Sequence, residues 1–530
     1  MKNNKVQVAL PLFFSIAVIV GMLIGYKLHS NMPNSKSFFQ FSGNNKLEEV
    51  MNIIENRYVD KINIDSVSED AIAGLLNKLD PHSVYIPPVN IKEANEDLVG
   101  EFGGIGVQFN MFDDTVHILS VLDGGPAEKS GLKIGDMILS VGDSTATGRN
   151  QSVKFKNWVK GPSGSEVTLK IKRDNSILIK KIQRGTIPIT SIDAVYMLDG
   201  ETGLIRLNRF SENTYEEFMQ SLEKLKKSGM QKLILDLRDN GGGILGEAVD
   251  IADEFIEGNE LIVYTEGKNN PKRDYLSKRP GLFEKGKLIV LLNESSASAS
   301  EVVAGALQDL DRATIVGRRS FGKGLVQEQY TLSDGSALRL TVARYFTPLG
   351  RSIQKPYGNG NEEYKKEILN RLMHAENQQK DSAASTNSKK YKTSSGKVLF
   401  GGGGITPDVF IGIDSIFYDT SLNKFYINNA IGNFSYKYYM KNRSVLNKYK
   451  EASEFCTKFE IGNAVVQEFM KFSEKEGIMP HNLNNEEVLF LKTRIKALIS
   501  RILWRETGYH MVLNQNDPTL LKSRELMKNP

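Results

Sequence analysis

Between Gly203 and Gly317 apolar, strand-like runs alternate with helix-like stretches, and few folds accept that order. GLIRLNRF, KLILDLR, KLIVLLN and ATIVG read as strands. Between them TYEEFMQSLEKLKKSG, GEAVDIADEFIEG and EVVAGALQDL carry apolar residues at helical spacing, and Gly229 suits a helix end. Such alternation predicts a sheet flanked by helices. KLIVLLN is apolar at every position from Leu288 to Leu292, as expected of a strand buried on both faces.

The 530 residues leave room for other domains. Val8 to Tyr26, VALPLFFSIAVIVGMLIGY, carries no charge and as a helix would span about 28 Å, close to the hydrocarbon thickness of a bilayer. No A-x-A-like cleavage site ends it. The expectation is a single-pass transmembrane signal anchor over residues 8–26 in the cell (inner) membrane. Residues 1–7 would then be cytoplasmic and the catalytic part would lie outside the cytoplasm, on the periplasmic side. Residues 27–45 read as a polar linker. In 46–95, Leu47, Val50, Met51, Ile54 and Tyr58 fall at helical spacing, and Ser66 to Glu69 form a capping-box pattern, so a small helical module is predicted.

From Gly100 the period changes to short β-type runs broken by glycines. GGIGVQF and GGPAEKSGLKIGDMILSVGD resemble a PDZ domain, placed at residues 96–176. The resemblance implies that backbone N–H groups around Gly104, Ile105, Gly106 and Val107 hold a peptide's terminal carboxylate, and that the strand after them accepts the peptide as an extra strand. Residues 177–412 are left for the α/β core, with a polar excursion at 358–400. Residues 413–530 read as a helical extension in which Trp504 is core.

Composition removes several chemistries. The net charge of +5 is dispersed, so no nucleic-acid partner is expected. One cysteine, Cys456, allows neither an intrachain disulfide nor a thiolate cluster. Six scattered histidines form no HExxH, so no metal and no cofactor is expected. What remains is NESSASASEVVAG, Asn293 to Gly305, where a buried strand runs into a turn and a helix. Unpaired N–H groups at a helix start favour negative charge, so a serine there sits beside its own oxyanion donors. Ser298 to Glu301 also fits a capping box that needs no catalysis. The local pattern does not choose among Ser296, Ser298 and Ser300. GRRSFGKGLVQ, Gly317 to Gln327, has a Walker-like GK, but Gly324 stands where a nucleotide loop needs a hydroxyl. If Lys323 to Gln327 is a strand, both side chains share a face.

Taken in order, LDPHSVYI, GEFGGIGVQF, DLRDNGGG, NESSASASEVVAGALQD, GRRSFGKGLVQ, RYFTPLGRSIQ and GGGGITPDV resemble the C-terminal processing, or tail-specific, serine proteases over roughly Leu47 to Ile411. The resemblance implies an α+β multidomain protein: an α/β, crotonase-like protease core with an inserted PDZ domain. It implies Ser298 as nucleophile, Lys323 as general base and Gln327 orienting that lysine. It places the oxyanion hole at Ala299 and a glycine of DLRDNGGG, Gly242 before Gly241. A lysine amine titrates near ~10.4, so a lysine base near neutrality must hold its proton less tightly by roughly 4 kcal/mol. Desolvation can supply that. The implied partners are proteins with accessible, apolar C-termini, with a homo-oligomer or an adaptor left open. The competing readings are an inactive PDZ scaffold, which the intact Ser298, Lys323 and Gln327 disfavour, and a crotonase-like acyl-CoA enzyme, which the serine–lysine pair and the PDZ insertion disfavour.

Overall fold

The computed structural model describes residues 20, 46–112, 114–148, 151–358, 360–374, 389–413, 420–478 and 482–528. Apart from Val20, the expected anchor at residues 8–26 lies outside them. Among the described residues no helix is long and apolar enough to cross a membrane. The chain divides into two compact units, one through Ile72 and one from Ala73. Among the described residues of the first unit, Lys46–Arg57 is a helix with no buried residue, and the helix Ile64–Leu76 begins there.

The alternating stretch builds a six-stranded sheet in the order Ile192–Met197, Thr202–Leu207, Lys232–Asp236, Leu288–Leu292, Thr314–Gly317, Val409–Phe410. Its first pair is antiparallel and the rest are parallel. Successive side chains face opposite sides of a strand. Leu233, Leu235, Leu288, Val290 and Leu292 pack with Phe218, Leu222, Ala248, Ile251, Val303 and Leu307 from three helices. Ile234, Ile289, Leu291 and Val316 turn the other way, onto Leu520 and Met527 of the helix Pro518–Lys528. The sheet is therefore covered on both faces, and its second cover comes from the far end of the chain. Burying a leucine or methionine stabilises by about 2–3 kcal/mol, so that last helix is an integral part of the core.

A second sheet has five strands: Val84–Ile86, Ala337–Phe346, Leu261–Glu266 and Arg273–Leu276, with Leu325–Thr331 also on Ala337–Phe346. Val84–Ile86, within the residues 46–95 expected as a helical module, is a strand. It pairs with Ala337, Leu338 and Arg339, so the segment after LDPHS belongs to the protease sheet, because the β-branched Val84 and Ile86 find a ladder partner there. The PDZ sheet has strand pairing beyond residue 176. Ser176–Gln183 pairs along its whole length with Glu166–Arg173, which carries that domain's sheet to Gln183; a strand severed from its hairpin partner would leave its ladder groups unpaired.

The polar excursion contains secondary structure among its described residues. Asn361–His374 is a helix and Lys390–Lys392 pairs with Val398–Phe400; residues 375–388 lie outside the described residues. The described residues from Thr420 onward form helices. Their own core includes Phe425, Phe434, Phe455, Phe469 and Leu491, with Trp504 packed against it. Cys456 is buried. The long helix Asn485–Leu513 breaks its backbone at Trp504 and Arg505.

Candidate active site

The strand Leu288–Leu292 delivers the serine run, and the three alternating serines prove to be different. Ser296 and Ser300 are fully buried. Ser296 Oγ donates to the Leu237 carbonyl at 2.8 Å and Ser300 Oγ to the Asn240 carbonyl at 3.0 Å, so both tie the turn to the DLRDN segment. Ser298 is half-buried, stands at φ 55° and ψ −114°, and caps the helix Ala299–Asp309 in a capping box with Glu301. That backbone conformation is sparsely populated and strained. Of the three alternating serines, Ser298 is the one left partly accessible, and it sits on a strained strand-to-helix turn.

Lys323 does not lie on a strand, contrary to the alternation argument: the strand begins at Leu325, and its pairing with Ala337–Phe346 shifts register between Val326 and Gln327. The two side chains meet nonetheless, with Lys323 Nζ donating to Gln327 Oε1 at 3.1 Å. Gln327 Nε2 donates in turn to the His82 carbonyl. That carbonyl is held by the LDPHS turn, where Asp80 accepts from the N–H groups of His82 and Ser83 and from Ser83 Oγ. His82 Nε2 lies 2.8 Å from Tyr364 Oη. Burial, and then Arg339, push the Lys323 amine below its ordinary pKa, while Glu301 and Asp80 oppose. Burial, and then Lys323, lower His82 to about 4.

Two side chains stitch the Ser298 and Lys323 backbones together. Glu301 Oε2 accepts from Ser298 N–H and from Lys323 N–H, each at 2.8 Å, which puts those two nitrogens within about 6 Å of each other. Glu301 Oε1 takes the Ser320 hydroxyl and Gly322 N–H. Burial raises this carboxyl to about 7 against those four hydrogen bonds. On the carbonyl side, Tyr345 Oη donates to Ser298 O and Lys323 O. Arg371, on the helix within the polar excursion, donates to the carbonyls of Ser320 and Phe321. Sequence reasoning misses these roles. Glu301 is visible there only as a cap, and LDPHS and the Tyr345 of RYFTPLGRSIQ only as motif residues without a task.

Ala299 opens its helix, where the N–H has no intrahelical acceptor. Gly242, at φ +94°, lies against it: a Cβ there would stand 2.7 Å from Ser298 Cβ and 2.9 Å from Ala299 N. Gly242 N–H is taken up by Asn240 Oδ1 at 2.9 Å. Gly241 has open space around its Cβ position. Behind this loop Asp236 binds Arg206 and Arg238, and Arg238 reaches Asp517 of the C-terminal extension at 2.7 Å. Among the described residues no His, Cys, Asp or Glu group is arranged to hold a metal ion.

In the PDZ domain, Gly104, Ile105, Gly106 and Val107 border a cavity of about 340 Å³ with Phe102, Phe109 and Val159. Gly106 has φ +75°, and a Cβ there would meet Leu122 and Ile187 at 3.1 Å, so the loop accepts little else. Lys156 and Lys160 of the helix Gln151–Val159 and its end pair with Glu93 and Glu96 at the cavity's rim.

A family model for peptidase family S41 matches residues 201–363, one for a PDZ domain 103–182, one for the N-terminal domain of the activating protease CtpB 26–88, and a family of unknown function 421–505. A carboxy-terminal-processing protease of Bartonella bacilliformis is 36% identical over 315 residues, 58% of this chain and 71% of that one. A probable CtpA-like serine protease of Staphylococcus epidermidis is 34% identical over 364 residues, 66% of this chain and 73% of that one. Among solved structures, the photosystem II D1 C-terminal processing protease is 26% identical, covers 69% of this chain and 86% of its own, and has a TM-score of 0.37. The chain belongs to the S41 family of carboxy-terminal-processing serine peptidases and carries a PDZ domain.

Proposed function

We propose that the chain is an endopeptidase that captures protein C-termini in its PDZ groove and cleaves by a Ser298–Lys323 dyad. The observation that carries this reading is the setting of Lys323: among the described residues its Nζ has one hydrogen bond, to an uncharged carboxamide. No carboxylate pins the ammonium, and burial disfavours it. The intact lysine–glutamine pair speaks against a scaffold that only binds tails.

In the reaction the Lys323 side chain turns from Gln327 to Ser298. No domain movement is needed, because Glu301 and Tyr345 already hold both backbones together. The neutral amine takes the Ser298 proton as Oγ attacks the scissile carbonyl. The tetrahedral oxyanion is met by Ala299 N–H and by the N–H of Gly242 rather than Gly241, since Gly242 is the glycine in contact with Ser298. Asn240 Oδ1 now occupies that donor and is displaced by the oxyanion. Lys323, protonated, then gives its proton to the leaving amine. Water attacks the acyl-enzyme with Lys323 again as base.

The tail partner is apolar because Phe102, Ile105, Phe109 and Val159 wall the groove, and the carboxylate goes to Gly104–Val107. The parallel strands leading into a helix start that carries an oxyanion donor support the crotonase-like description of the core. The uncharged run at residues 8–26 supports a single-pass anchor with the peptidase outside the cytoplasm. The test is a panel of tagged proteins, differing at their last residues, incubated with wild type and Ser298→Ala. Mass spectrometry should find fragments only from wild type and only from apolar-ended members; fragments independent of the tail would refute capture.

A further inference from the structure

The edge strand of the PDZ domain, Val107–Phe112, borders a second cavity. It is about 430 Å³ and opens between that strand and two helices of the C-terminal extension, Ala430–Leu446 and Asn485–Leu513. Val107 and Phe109 border both cavities, so the two are continuous along one strand. Gln108, Asn110, Leu119, Tyr436, Leu498 and Ile502 border only the second.

Strand geometry assigns the two cavities to alternate residues of one ligand. Among the described residues Val107–Phe112 pairs only with Thr115–Val121, which leaves its other edge open to an added strand. Side chains of an added strand point alternately to opposite faces. Phe109 is turned to the domain core, ring to ring with Phe155 at 4.6 Å. A tail whose last side chain enters the first cavity, on that face, sends its penultimate side chain to the face of Gln108 and Asn110. A register shift between Gln108 and Phe109 leaves Leu119 as the extra residue on the paired strand, and bulges re-aim side chains in this way.

The helical wall is fixed. Tyr436 stacks on Phe112 with centroids 4.4 Å apart and lies 3.2 Å from His117 Nδ1 through its hydroxyl, and Arg505 donates to the Val121 carbonyl. The lining on that side is apolar at Leu119, Leu498 and Ile502. Arg501 at the rim has its charge matched by Glu506. The geometry points to a second tail subsite, built jointly by the PDZ edge strand and the C-terminal helices, which takes an apolar penultimate side chain. This rests on the tail-capture reading above. It gives the C-terminal extension a part in substrate selection.

The test uses the full chain as Ser298→Ala, so that tails are held uncut, and fluorescent ten-residue peptides identical except for leucine or glycine at the penultimate position. Anisotropy should find leucine about tenfold tighter, less than the full worth of burying that side chain. Gln108→Trp, which fills the cavity from the strand side, and Leu498→Ala with Ile502→Ala, which open it from the helix side, should each reduce the preference below about twofold. Both should still discriminate an apolar from an acidic terminal residue. Leu498 and Ile502 pack against the helical core, so Gln108→Trp carries the test if the double variant does not fold. Equal affinity of the two peptides for the unaltered subsite, or a tenfold preference that survives Gln108→Trp, overturns the subsite. Failure to bind either peptide overturns tail capture and the subsite together.

Discussion

With Lys323 replaced by alanine, turnover of a susceptible tail is expected to fall by about 10⁴ or more, and Ser298→Ala should do the same. Nucleophile and base act as one unit, so either loss removes the whole of the covalent route and leaves what the oxyanion hole and binding supply alone. The pair combined should be little worse than either single variant. Gln327→Ala should cost far less, about 10- to 100-fold, because the carboxamide holds the amine through one 3.1 Å hydrogen bond and reacts with nothing. Single-turnover kinetics with one peptide separate these cases. A Lys323→Ala enzyme within tenfold of wild type would mean that another group takes the proton. His82 is the nearest alternative in kind. It makes a poor general base, because burial and Lys323 hold its pKa down at about 4.

Gly242→Ala is the second large effect. The added Cβ would stand 2.7 Å from both the Ala297 carbonyl and Ser298 Cβ, at a φ of +94° that side chains rarely accept. The loop cannot keep its position with that atom present. The expected loss is about 10²–10³ in kcat, the usual cost of an oxyanion donor, with KM nearly unchanged because the tail is gripped at the PDZ domain. Gly241→Ala meets open space and should stay near wild type. Equal damage from both would assign the loop a structural role only.

Much of this site is legible in the amino-acid sequence, and the reason is local. The serine run, the glycines of DLRDNGGG and the GK of GRRSFGKG each need a special backbone or an unusual residue type, so they stand out in the chain. What is not legible depends on contacts between distant segments. Glu301 looks like a cap and is one, accepting Ser298 N–H. Its second task, holding Lys323 N–H across 22 residues, has no sequence signature. The register shift next to Gln327, which meets Lys323 although that lysine stands before the strand begins, is equally silent. Asp80 and Tyr364 meet on either side of His82 only because Val84–Ile86 joins the second sheet and the helix Asn361–His374 folds back. The C-terminal extension reads correctly as helix, yet its hold on the core sheet through Leu520, Met527 and Asp517 is tertiary, and periodicity carries no trace of it.

The central claim is that an uncharged Lys323 takes the Ser298 proton, and the pH dependence of Ser298 labelling by a serine-directed phosphonate tests it most directly. Only the deprotonated amine is a base, and burial has moved its pKa below the ordinary lysine value. The labelling rate should therefore rise with pH through that depressed pKa and level off before about pH 10.4, where a free lysine titrates. Mass mapping should place the adduct on Ser298. A rate that is flat from about pH 5 to about pH 10, or an adduct on another serine, would contradict it.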